Sequence, residues 1–360
     1  MKILQILPRV PPAVCGIGDY AWGIARRLRE EHGIASGFLS AGTGWTQPQG
    51  ETEFPVFRLP QLSAQALTNF MAARAGEHDA VVLHMSPYGY QKRGVPLWLA
   101  AGWRRIAAMK AAPRMITMFH ELYASGPPTS SAFWLQPLQK HVLRQVARAS
   151  GGLRTNRDAY ADWLRRQTGR GVLAMPVFSN FGEPPVLPEW EQREAAMAVF
   201  AWGIHSGESL EQVVAKAASW AGRFGMKRLH LIGGAKFAGE VGHGIELVRH
   251  GFMAAADVAA LLGSCRMAYT AYSPLHFGKS TLIAAFAAHG LPVITQGSTT
   301  DLPDGLRHGL NVLNEPFLTA SGLPVDGDLR EIGGALRSWY DGHSLAANAQ
   351  SYAEQMKDEG

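Results

Sequence analysis

The chain has 360 residues, of which 47% are hydrophobic and 18% are charged, and this composition excludes an intrinsically disordered protein. At roughly 150 residues per domain, the length predicts about two domains. The two cysteines, Cys15 and Cys265, lie far apart, and no apolar run approaches the ~18 residues of a membrane span. We therefore expect a cytoplasmic protein without transmembrane helices.

Charge is distributed unevenly along the chain. Residues 1–180 contain 21 Lys and Arg against 10 Asp and Glu, whereas the remainder contains 13 against 19, so the first half is basic and the second acidic. A basic half is typical of a protein that meets an anionic partner, such as a membrane surface, a lipid phosphate or nucleic acid. A solvated surface with spare arginines would give the same excess.

Apolar runs alternate with amphipathic helices through the first half. Helices are predicted in GIGDYAWGIARRLREEHG, which ends at Gly33, in PLWLAAGWRRIAAMKAA and in HVLRQVARASG. The predicted strands are KILQIL, DAVVLHM (79–85), RMITMFHE (114–121) and GGLRTN. This alternation indicates parallel βα units.

The second half repeats the pattern after a proline-rich connector, VFSNFGEPPVLPEW. Its predicted strands are AMAVFAWG (195–203), RLHLIGG (228–234), RMAYTAY (266–272) and LPVITQG (291–297), with helices between them. The sequence thus predicts an α/β protein with two Rossmann-like domains facing across a cleft that binds ligands. We expect domains at 1–178 and 193–340, a hinge at 179–192, and a C-terminal helix within 341–360 that packs back on the first domain.

The first candidate site is VCGIGDY (14–20), which follows the first strand and opens the first helix. Gly16 and Gly18 allow the backbone to approach a ligand, and a helix N-terminus favours anions. Ala21 stands where the dinucleotide-binding pattern has its third glycine, so the match is partial. An ordinary tight turn between strand and helix explains the glycines equally well.

Two further segments place polar residues after predicted strands. In TMFHELY, His120 and Glu121 lie at the carboxyl end of a strand, where side chains point toward the ligand site of such folds. In HMSPYGYQKRG (84–94), Tyr88 and Tyr90 offer stacking faces and Arg93 offers charge. A histidine in this position can hydrogen-bond a sugar hydroxyl or a phosphate, and we expect all five residues to contact a sugar or a molecule that accepts one; a buried histidine and a plain surface loop are the alternatives.

The segment SPLHFGKSTLIAAFAAHG (273–290) resembles the end of a nucleotide-binding P-loop, but Ser273 replaces the first glycine. Lys279 supplies a cation, Ser280 and Thr281 supply hydroxyl groups, and the helix start supplies amide donors. We expect a diphosphate here. A capped core helix with one solvated lysine, or a P-loop-like ATPase, is the alternative.

With these motifs assembled, the chain resembles the GT-B glycosyltransferases of the retaining GT4 type. The motifs that carry the resemblance are PRVPPAVCGIGDY, FHE, AWGIHSGES and HGLPVIT. YGYQKRGVPLWL, FHELYASGPPTSSAFWLQPLQ, PVFSNFGEP and KSTLIAAFAAHG further resemble a bacterial exopolysaccharide subgroup that includes the cyanobacterial heterocyst-envelope transferases.

The resemblance implies a transferase that moves a sugar, with retention, from a nucleoside-diphosphate sugar such as UDP-glucose to a glycan or lipid-linked acceptor. The first domain would hold the acceptor and the second the donor. His120 would orient the sugar, and Lys279 would stabilise the leaving diphosphate. The expected donor contacts are Gly16, Gly18, Gly203, Lys279, Ser280, Thr281 and Glu183, the last at the ribose.

The chain departs from the family at its paired glutamates, whose places are taken by Phe277 and Ala285. Because a leaving diphosphate needs compensating charge, Lys279 is the expected replacement. Asp326 and Asp328 form a DxD spacing, but they precede a terminal helix, where aspartates commonly cap, so we expect no metal and no cofactor. We also expect no nucleic-acid partner and, given the basic half, a peripheral contact with the anionic inner membrane face. A weak or inactive nucleotide-sugar-binding protein is the alternative function.

Overall fold

Contacts within the chain divide it into two compact units. The first contains Met1–Met175 together with the segment that begins at Asn348, and the second contains Pro176–Ala347. Each unit has one parallel sheet with helices between its strands, as the sequence pattern predicted. The computed structural model describes residues 1–13, 15–43, 52–204, 207–234 and 237–357.

Seven parallel strands form the sheet of the first unit. They are β1 (Lys2–Leu7), β2 (Ala35–Ser40), β3 (Val56–Arg58), β4 (Ala80–Met85), β5 (Arg114–Phe119), β6 (Gly152–Thr155) and β7 (Leu173–Ala174). Their order is β3-β2-β1-β4-β5-β6-β7, so β1 and β4 are neighbours and the direction of strand addition reverses between them. In open parallel sheets, ligands bind outside the carboxyl ends at such a reversal.

The helices of the first unit bury one face each. In the first helix, Ala21, Ile24, Ala25 and Leu28 are buried, and Gly33 ends the helix with a positive φ of 63°, as the sequence predicted. The helices are α1 (Gly16–His32), α2 (Ala64–Ala72), α3 (Pro87–Tyr90), α4 (Leu97–Ala107), α5 (Ser131–Ala149) and α6 (Asp158–Thr168).

The second unit has a six-stranded parallel sheet, and residues 179–192, expected as a hinge, belong to this unit. In chain order its elements are β8 (Glu194–Phe200), α7 (Leu210–Arg223), β9 (Arg228–Ile232), β10 (Glu246–Gly251), α8 (Ala255–Ser264), β11 (Cys265–Tyr269), α9 (Thr281–Ala288), β12 (Val293–Thr295), β13 (Leu313–Asn314), α10 (Glu315–Ser321) and α11 (Asp326–Asp341). Short 3-10 helices occupy Trp190–Gln192 and Pro274–Lys279. The strand order is β10-β9-β8-β11-β12-β13, which reverses between β8 and β11.

Helix α12 (Leu345–Lys357) completes the core of the first unit. The guanidinium group of Arg154, on β6, donates to the carbonyl oxygen and the hydroxyl of Ser351, both at 3.1 Å, and lies 3.8 Å from the ring centre of Tyr352. The hydroxyl of Tyr20, on α1, donates to Asn348 at 3.1 Å. Arg154 is 1% exposed, so α12 supplies the partners of a fully buried charge.

Candidate functional site

The carboxyl ends of β4, β5 and β6 bring polar residues into one row. β5 ends at Phe119, two residues before the end that we predicted, so His120 and Glu121 lie just beyond the strand. The backbone amide of His120 donates to Met85 at 2.9 Å, and the side-chain amide of Asn156 donates to the carbonyl of His120 at 3.3 Å. The sequence therefore located His120 and Glu121 at the strand edge correctly.

A buried hydrogen-bonded chain fixes the imidazole of His120. His84 Nδ1 lies 3.0 Å from His120 Nε2, and His84 Nε2 lies 2.8 Å from Gln5 Oε1. Because an amide oxygen only accepts, His84 donates from Nε2 and accepts at Nδ1, and His120 donates from Nε2. Neutral His120 is left with an unprotonated Nδ1, which can accept a hydrogen bond from a hydroxyl group.

Both histidines are neutral near pH 7. Burial lowers the pKa of His120 to about 3. Burial also holds the pKa of His84 well below its ordinary value, and the neighbouring His120 and Arg154 lower that pKa further. The pair can therefore orient a ligand by hydrogen bonding but does not carry a positive charge. The sequence reasoning missed Gln5 and His84, which lie inside buried strands.

The loop after β4 contributes less than we expected. The ring of Tyr88 is 43% exposed, and its hydroxyl accepts a hydrogen bond from Gln139 at 3.0 Å. Arg93 is exposed, so it is accessible to a ligand. Tyr90 is 0% exposed, so the structure does not place its ring where a sugar could stack.

Local hydrogen bonds fix the positions of Tyr90 and Glu121. The hydroxyl of Tyr90 lies within hydrogen-bond distance of the carbonyl oxygens of Ile6, at 3.1 Å, and His84, at 2.9 Å, so this tyrosine joins β1 to β4. Expecting Tyr90 as a stacking residue was therefore a mistake. Glu121 accepts from the hydroxyl of Ser86 at 3.0 Å, which places its carboxylate beside the end of β4.

The turn between β1 and α1 combines an open helix start with a tight backbone contact. Gly16 is the first residue of α1, and Cys15, which precedes it, makes no side-chain cap. A Cβ on Gly16 would meet nothing within 4 Å, whereas a Cβ on Gly18 would lie 2.7 Å from the carbonyl oxygen of Arg9. Gly18 is thus required by a contact inside the loop, while Gly16 leaves space at the helix start. Val14, also in the quoted motif, lies outside the described residues.

In the second unit, Gly203 and the start of α9 come together. Gly203 follows β8 with a φ of 76°, and a Cβ there would lie 2.7 Å from Leu282 Cδ1 and 3.4 Å from the ring of Tyr272. Leu282 is the second residue of α9. The loop after β8 therefore touches the first turn of α9, and only glycine fits at this contact.

Lys279, Ser280 and Thr281, in the segment that resembles the end of a P-loop, differ in exposure and in contacts. Lys279 ends the 3-10 helix, is half-buried and takes part in an interaction within the protein. Ser280 is 3% exposed, and its hydroxyl caps α9 by accepting from the amide of Ile283 at 3.4 Å. Thr281, the first residue of α9, is half-buried. Lys279 and Thr281 are thus the more accessible of the three, and Ser280 is accounted for by the cap.

Glu183, expected at a ribose, is tied to the end of the second unit. Its Oε1 accepts hydrogen bonds from the hydroxyl of Tyr340 and, at 2.6 Å, from the backbone amide of Leu345. Burial raises the pKa of the Tyr340 phenol, and the neighbouring Glu183 carboxylate raises it further. These contacts connect the segment after β7 to α11 and to the first turn of α12, which is a structural role.

A polar cluster that the sequence reasoning missed lies at the carboxyl ends of β11 and β12. The amide of Gln296 donates to Glu208 at 2.6 Å and to the hydroxyl of Tyr269 at 3.0 Å. That hydroxyl in turn donates to Glu315 at 3.0 Å. Lys216 forms an ion pair with Glu208 at 2.6 Å. None of these residues was assigned a role from the sequence.

Two searches of the described ranges concern metals and membranes. Among the residues with assigned positions, no group of three or more His, Cys, Asp or Glu side chains is arranged to hold a metal ion. None of the helices in those ranges is both long enough and apolar enough to cross a membrane.

Comparison with known proteins shows the fold. No protein-family model matches the sequence, and no curated protein matches it. Similar solved structures include an alpha-glucosyltransferase in complex with UDP-glucose and DNA containing an abasic site, which matches with a TM-score of 0.60 and 8% identity over 99% of this chain and 100% of the other. The apo lipopolysaccharide outer core galactosyltransferase WaaB matches with a TM-score of 0.60 and 10% identity over the same shares.

A third similar structure is described as a UDP-N-acetylglucosamine 2-epimerase from Listeria monocytogenes, with a TM-score of 0.59 and 11% identity over 99% of this chain and 95% of the other. Identities this low establish the fold alone. Together with the two parallel-sheet units, these likenesses show that the chain has the two-domain, Rossmann-like GT-B fold.

Proposed function

We propose that the protein is a glycosyltransferase that takes its sugar from a UDP-sugar such as UDP-glucose. The observation that carries this proposal is the likeness, over 99% of the chain, to alpha-glucosyltransferase structures that contain UDP or UDP-glucose. A glycosyltransferase of lipopolysaccharide biosynthesis, WaaG, and the galactosyltransferase WaaB share the fold. The finer assignments, a GT4-type enzyme that retains the anomeric configuration in exopolysaccharide synthesis, rest on the sequence motifs.

In this proposal the second unit holds the donor. Gly203 lies against Leu282 in the first turn of α9, and Lys279 lies two residues before α9 begins. When the bond between the sugar and the diphosphate breaks, negative charge develops on the leaving phosphate. Lys279 and the N-terminus of α9 would stabilise that charge.

The first unit would hold the acceptor and orient the transferred sugar. His120 presents an acceptor nitrogen for a sugar hydroxyl, and Glu121, Tyr88 and Arg93 lie on the same sheet edge or the loop after β4. With retention, the departing phosphate itself would take the proton of the acceptor hydroxyl, so the proposal requires no separate carboxylate base. It also requires no metal, which activity in the presence of a chelator would test.

For the acceptor we propose a glycan or lipid-linked molecule at an anionic membrane. Residues 80–157 contain 11 Lys and Arg and a single acidic residue, Glu121. Trp134, near the start of α5, is 72% exposed, and interfacial tryptophan beside basic residues favours an anionic bilayer. A groove of 610 Å³ between α4 and α5 is lined by Arg104, Ala107, Ala108, His141, Arg144, Gln145, Arg148 and Ala149. Co-sedimentation with anionic vesicles, and its loss in Trp134→Ser, would test this contact.

Two observations require that the experiments also test other functions and other acceptors. The Listeria monocytogenes structure described as an epimerase has the same fold, and the missing family glutamates favour a weak or non-transferring nucleotide-sugar binder. Two alpha-glucosyltransferase structures contain 13-mer DNA, so the comparisons lend no support to our expectation that nucleic acid is excluded as a partner. Acceptor screens should therefore include DNA.

Calorimetry with UDP, GDP, ADP and ATP, in a chelator, tests the donor site. A charged phosphate contact contributes about 1.5–3 kcal/mol, so Lys279→Ala should weaken UDP binding roughly tenfold or more. Lys227→Ala, an exposed lysine of the same unit, is the matched control and should bind as the wild type does. Unchanged binding by Lys279→Ala would remove Lys279 from the site, and a preference for ATP with magnesium would overturn the proposal.

Analysis of the products separates the remaining functions. Incubation with UDP-glucose and mixed acceptors should give a glycosylated product whose anomeric configuration, read by NMR, is that of the donor. A UDP-sugar changed only at its C2 stereocentre would identify an epimerase instead. Tight UDP binding without any product would identify a binding protein.

A further inference from the structure

Arg157 is a largely buried cation that forms no ion pair and no side-chain hydrogen bond with the residues that the structure describes. It occupies the N-cap position of α6, directly after β6, and is 7% exposed. Its Nε is fully buried and has no hydrogen-bond partner among those residues. Its guanidinium carbon lies 4.5 Å from the ring centre of Tyr160, but in the described parts of the chain no carboxylate forms an ion pair with it. A buried N–H group without an acceptor is unfavourable, so the position of Nε needs an explanation.

Arg154, three residues earlier, is a buried arginine whose guanidinium group has partners within the fold, so it is a useful comparison for Arg157. Helix α12 gives Arg154 hydrogen bonds to Ser351 and to Gln355 and an aromatic ring to lie on. Arg157 forms no such hydrogen bonds within the described ranges, and its guanidinium group lies over the ring of Tyr160. The two arginines near the end of β6 therefore differ: Arg154 has partners in α12, whereas Arg157 lies at the carboxyl edge of the sheet without an ion pair among the described residues.

The surroundings of Arg157 offer further unsatisfied groups. The side-chain oxygen of Asn156 is buried and has no partner in the described ranges, although its amide nitrogen bonds to His120. The N-cap residue of α6 makes no side-chain cap, and the first turn contains one carboxylate, Asp158. Glu121, just beyond the neighbouring strand β5, accepts from Ser86 at the end of β4.

We propose that Arg157 binds a phosphate or diphosphate ester of the acceptor. A guanidinium group matches two phosphate oxygens with parallel hydrogen bonds, and a doubly charged phosphate compensates a buried cation better than a hydroxyl group does. The hydrogen bond from Asn156 to His120 would place the acceptor's phosphate beside the residue that orients the sugar. The assignment of this phosphate to the acceptor rests on the proposed function, whereas the binding of a phosphate at Arg157 does not.

Calorimetric titration of inorganic pyrophosphate into the full chain tests the site. Saturating UDP keeps the donor site filled, and a parallel titration without UDP covers the case in which UDP does not bind. Arg157→Met should weaken pyrophosphate binding at least tenfold. Arg166→Met removes an exposed arginine from the same helix and should leave the affinity within twofold. Absent UDP binding would count against the proposed function alone.

Thermal unfolding distinguishes a binding arginine from a structural one. Without ligand, Arg157→Met should unfold at a temperature no lower than that of the wild type, because the substitution removes no ion pair or side-chain hydrogen bond within the described ranges. Pyrophosphate should raise the unfolding temperature of the wild type and not that of Arg157→Met. If Arg157→Met does not fold, Arg157→Lys keeps the charge without the planar fork and should bind several-fold more weakly than the wild type.

Three results would overturn the proposal: no pyrophosphate binding by the wild type, equal binding by Arg157→Met, or equal binding by Arg157→Lys where Arg157→Met does not fold. Competition then identifies the source of the phosphate. Displacement by glucose 1-phosphate indicates a soluble sugar phosphate, and displacement by vesicles that carry a polyprenyl phosphate indicates a lipid-linked acceptor. Either displacement supports the phosphate site.

Discussion

Acidification should destabilise the first unit through its buried histidine pair. Burial lowers the pKa of His120 from 6.5 to about 3. In the unfolded chain the same imidazole takes a proton as the pH falls below 6.5, while in the folded chain it stays neutral. The unfolded state therefore binds more protons between these values, and the stability that is fully present above pH 6.5 is lost progressively toward pH 3.

The size of the effect follows from the two pKa values. At about pH 5, protonation of the unfolded His120 alone should remove about 2 kcal/mol of stability relative to about pH 7.5. His84, whose pKa is also lowered, adds a loss in the same direction. Other buried histidines do so as well; for His343, burial lowers the pKa to about 4. Because several histidines contribute to the pH dependence, the contribution of His120 is isolated by comparing the wild type with a variant that lacks this histidine.

Native-state hydrogen exchange of the amides in β4 and β5, measured at both pH values, reports the stability of this region. The free energy of opening should fall by about 2 kcal/mol more in the wild type than in His120→Gln, which keeps a donor toward His84 but does not titrate. The difference between the two pH values cancels any change that the substitution makes at neutral pH. Equal pH-dependent losses in both proteins would refute the assignment of His120 as a buried neutral imidazole.

Three substitutions test other contacts. Gly203→Ala should lose about 1–3 kcal/mol of stability by thermal or urea unfolding, because its Cβ meets Leu282; Gly207→Ala, with a φ of 79° but no atom within 4 Å of the new Cβ, should lose less. Glu183→Ala should cost about 1–3 kcal/mol in the same assay while calorimetric UDP affinity stays unchanged, and a weaker affinity would restore the ribose contact that the sequence suggested. Tyr90→Phe should cost about 1–2 kcal/mol by urea unfolding without altering acceptor binding, whereas a changed acceptor affinity would show that the ring is accessible.

The sequence located the parts of the site that lie at the ends of clear apolar strands. His120 and Glu121 follow a buried strand, and a polar pair after an apolar run is visible without a structure. Gln5 and His84 lie inside strands that are buried along almost their whole length, so no alternation of polar and apolar residues distinguishes the side chains that meet. Tyr90 looked like an exposed loop residue because burial in a short helix leaves no periodic signal.

Several elements were also missed for identifiable reasons. β2 has the sequence ASGFLS and β10 has ELVRHG, and neither contains the apolar run by which the other strands were predicted. β10 is an edge strand that is partly exposed along most of its length, which permits its charged residues. Hydrogen bonding between neighbouring strands, which no single segment encodes, decides such cases.

The position of α12 constrains how the chain becomes folded during its synthesis. The ribosome produces the strands of the first unit, then the whole second unit, and only then the helix whose residues pair with Arg154 and Tyr20. We therefore expect the first unit to finish folding only after the second unit has been synthesised, against the usual order in which an N-terminal domain folds first. Until α12 has left the ribosome, Arg154 lacks the partners that Ser351 and Gln355 give it in the folded chain.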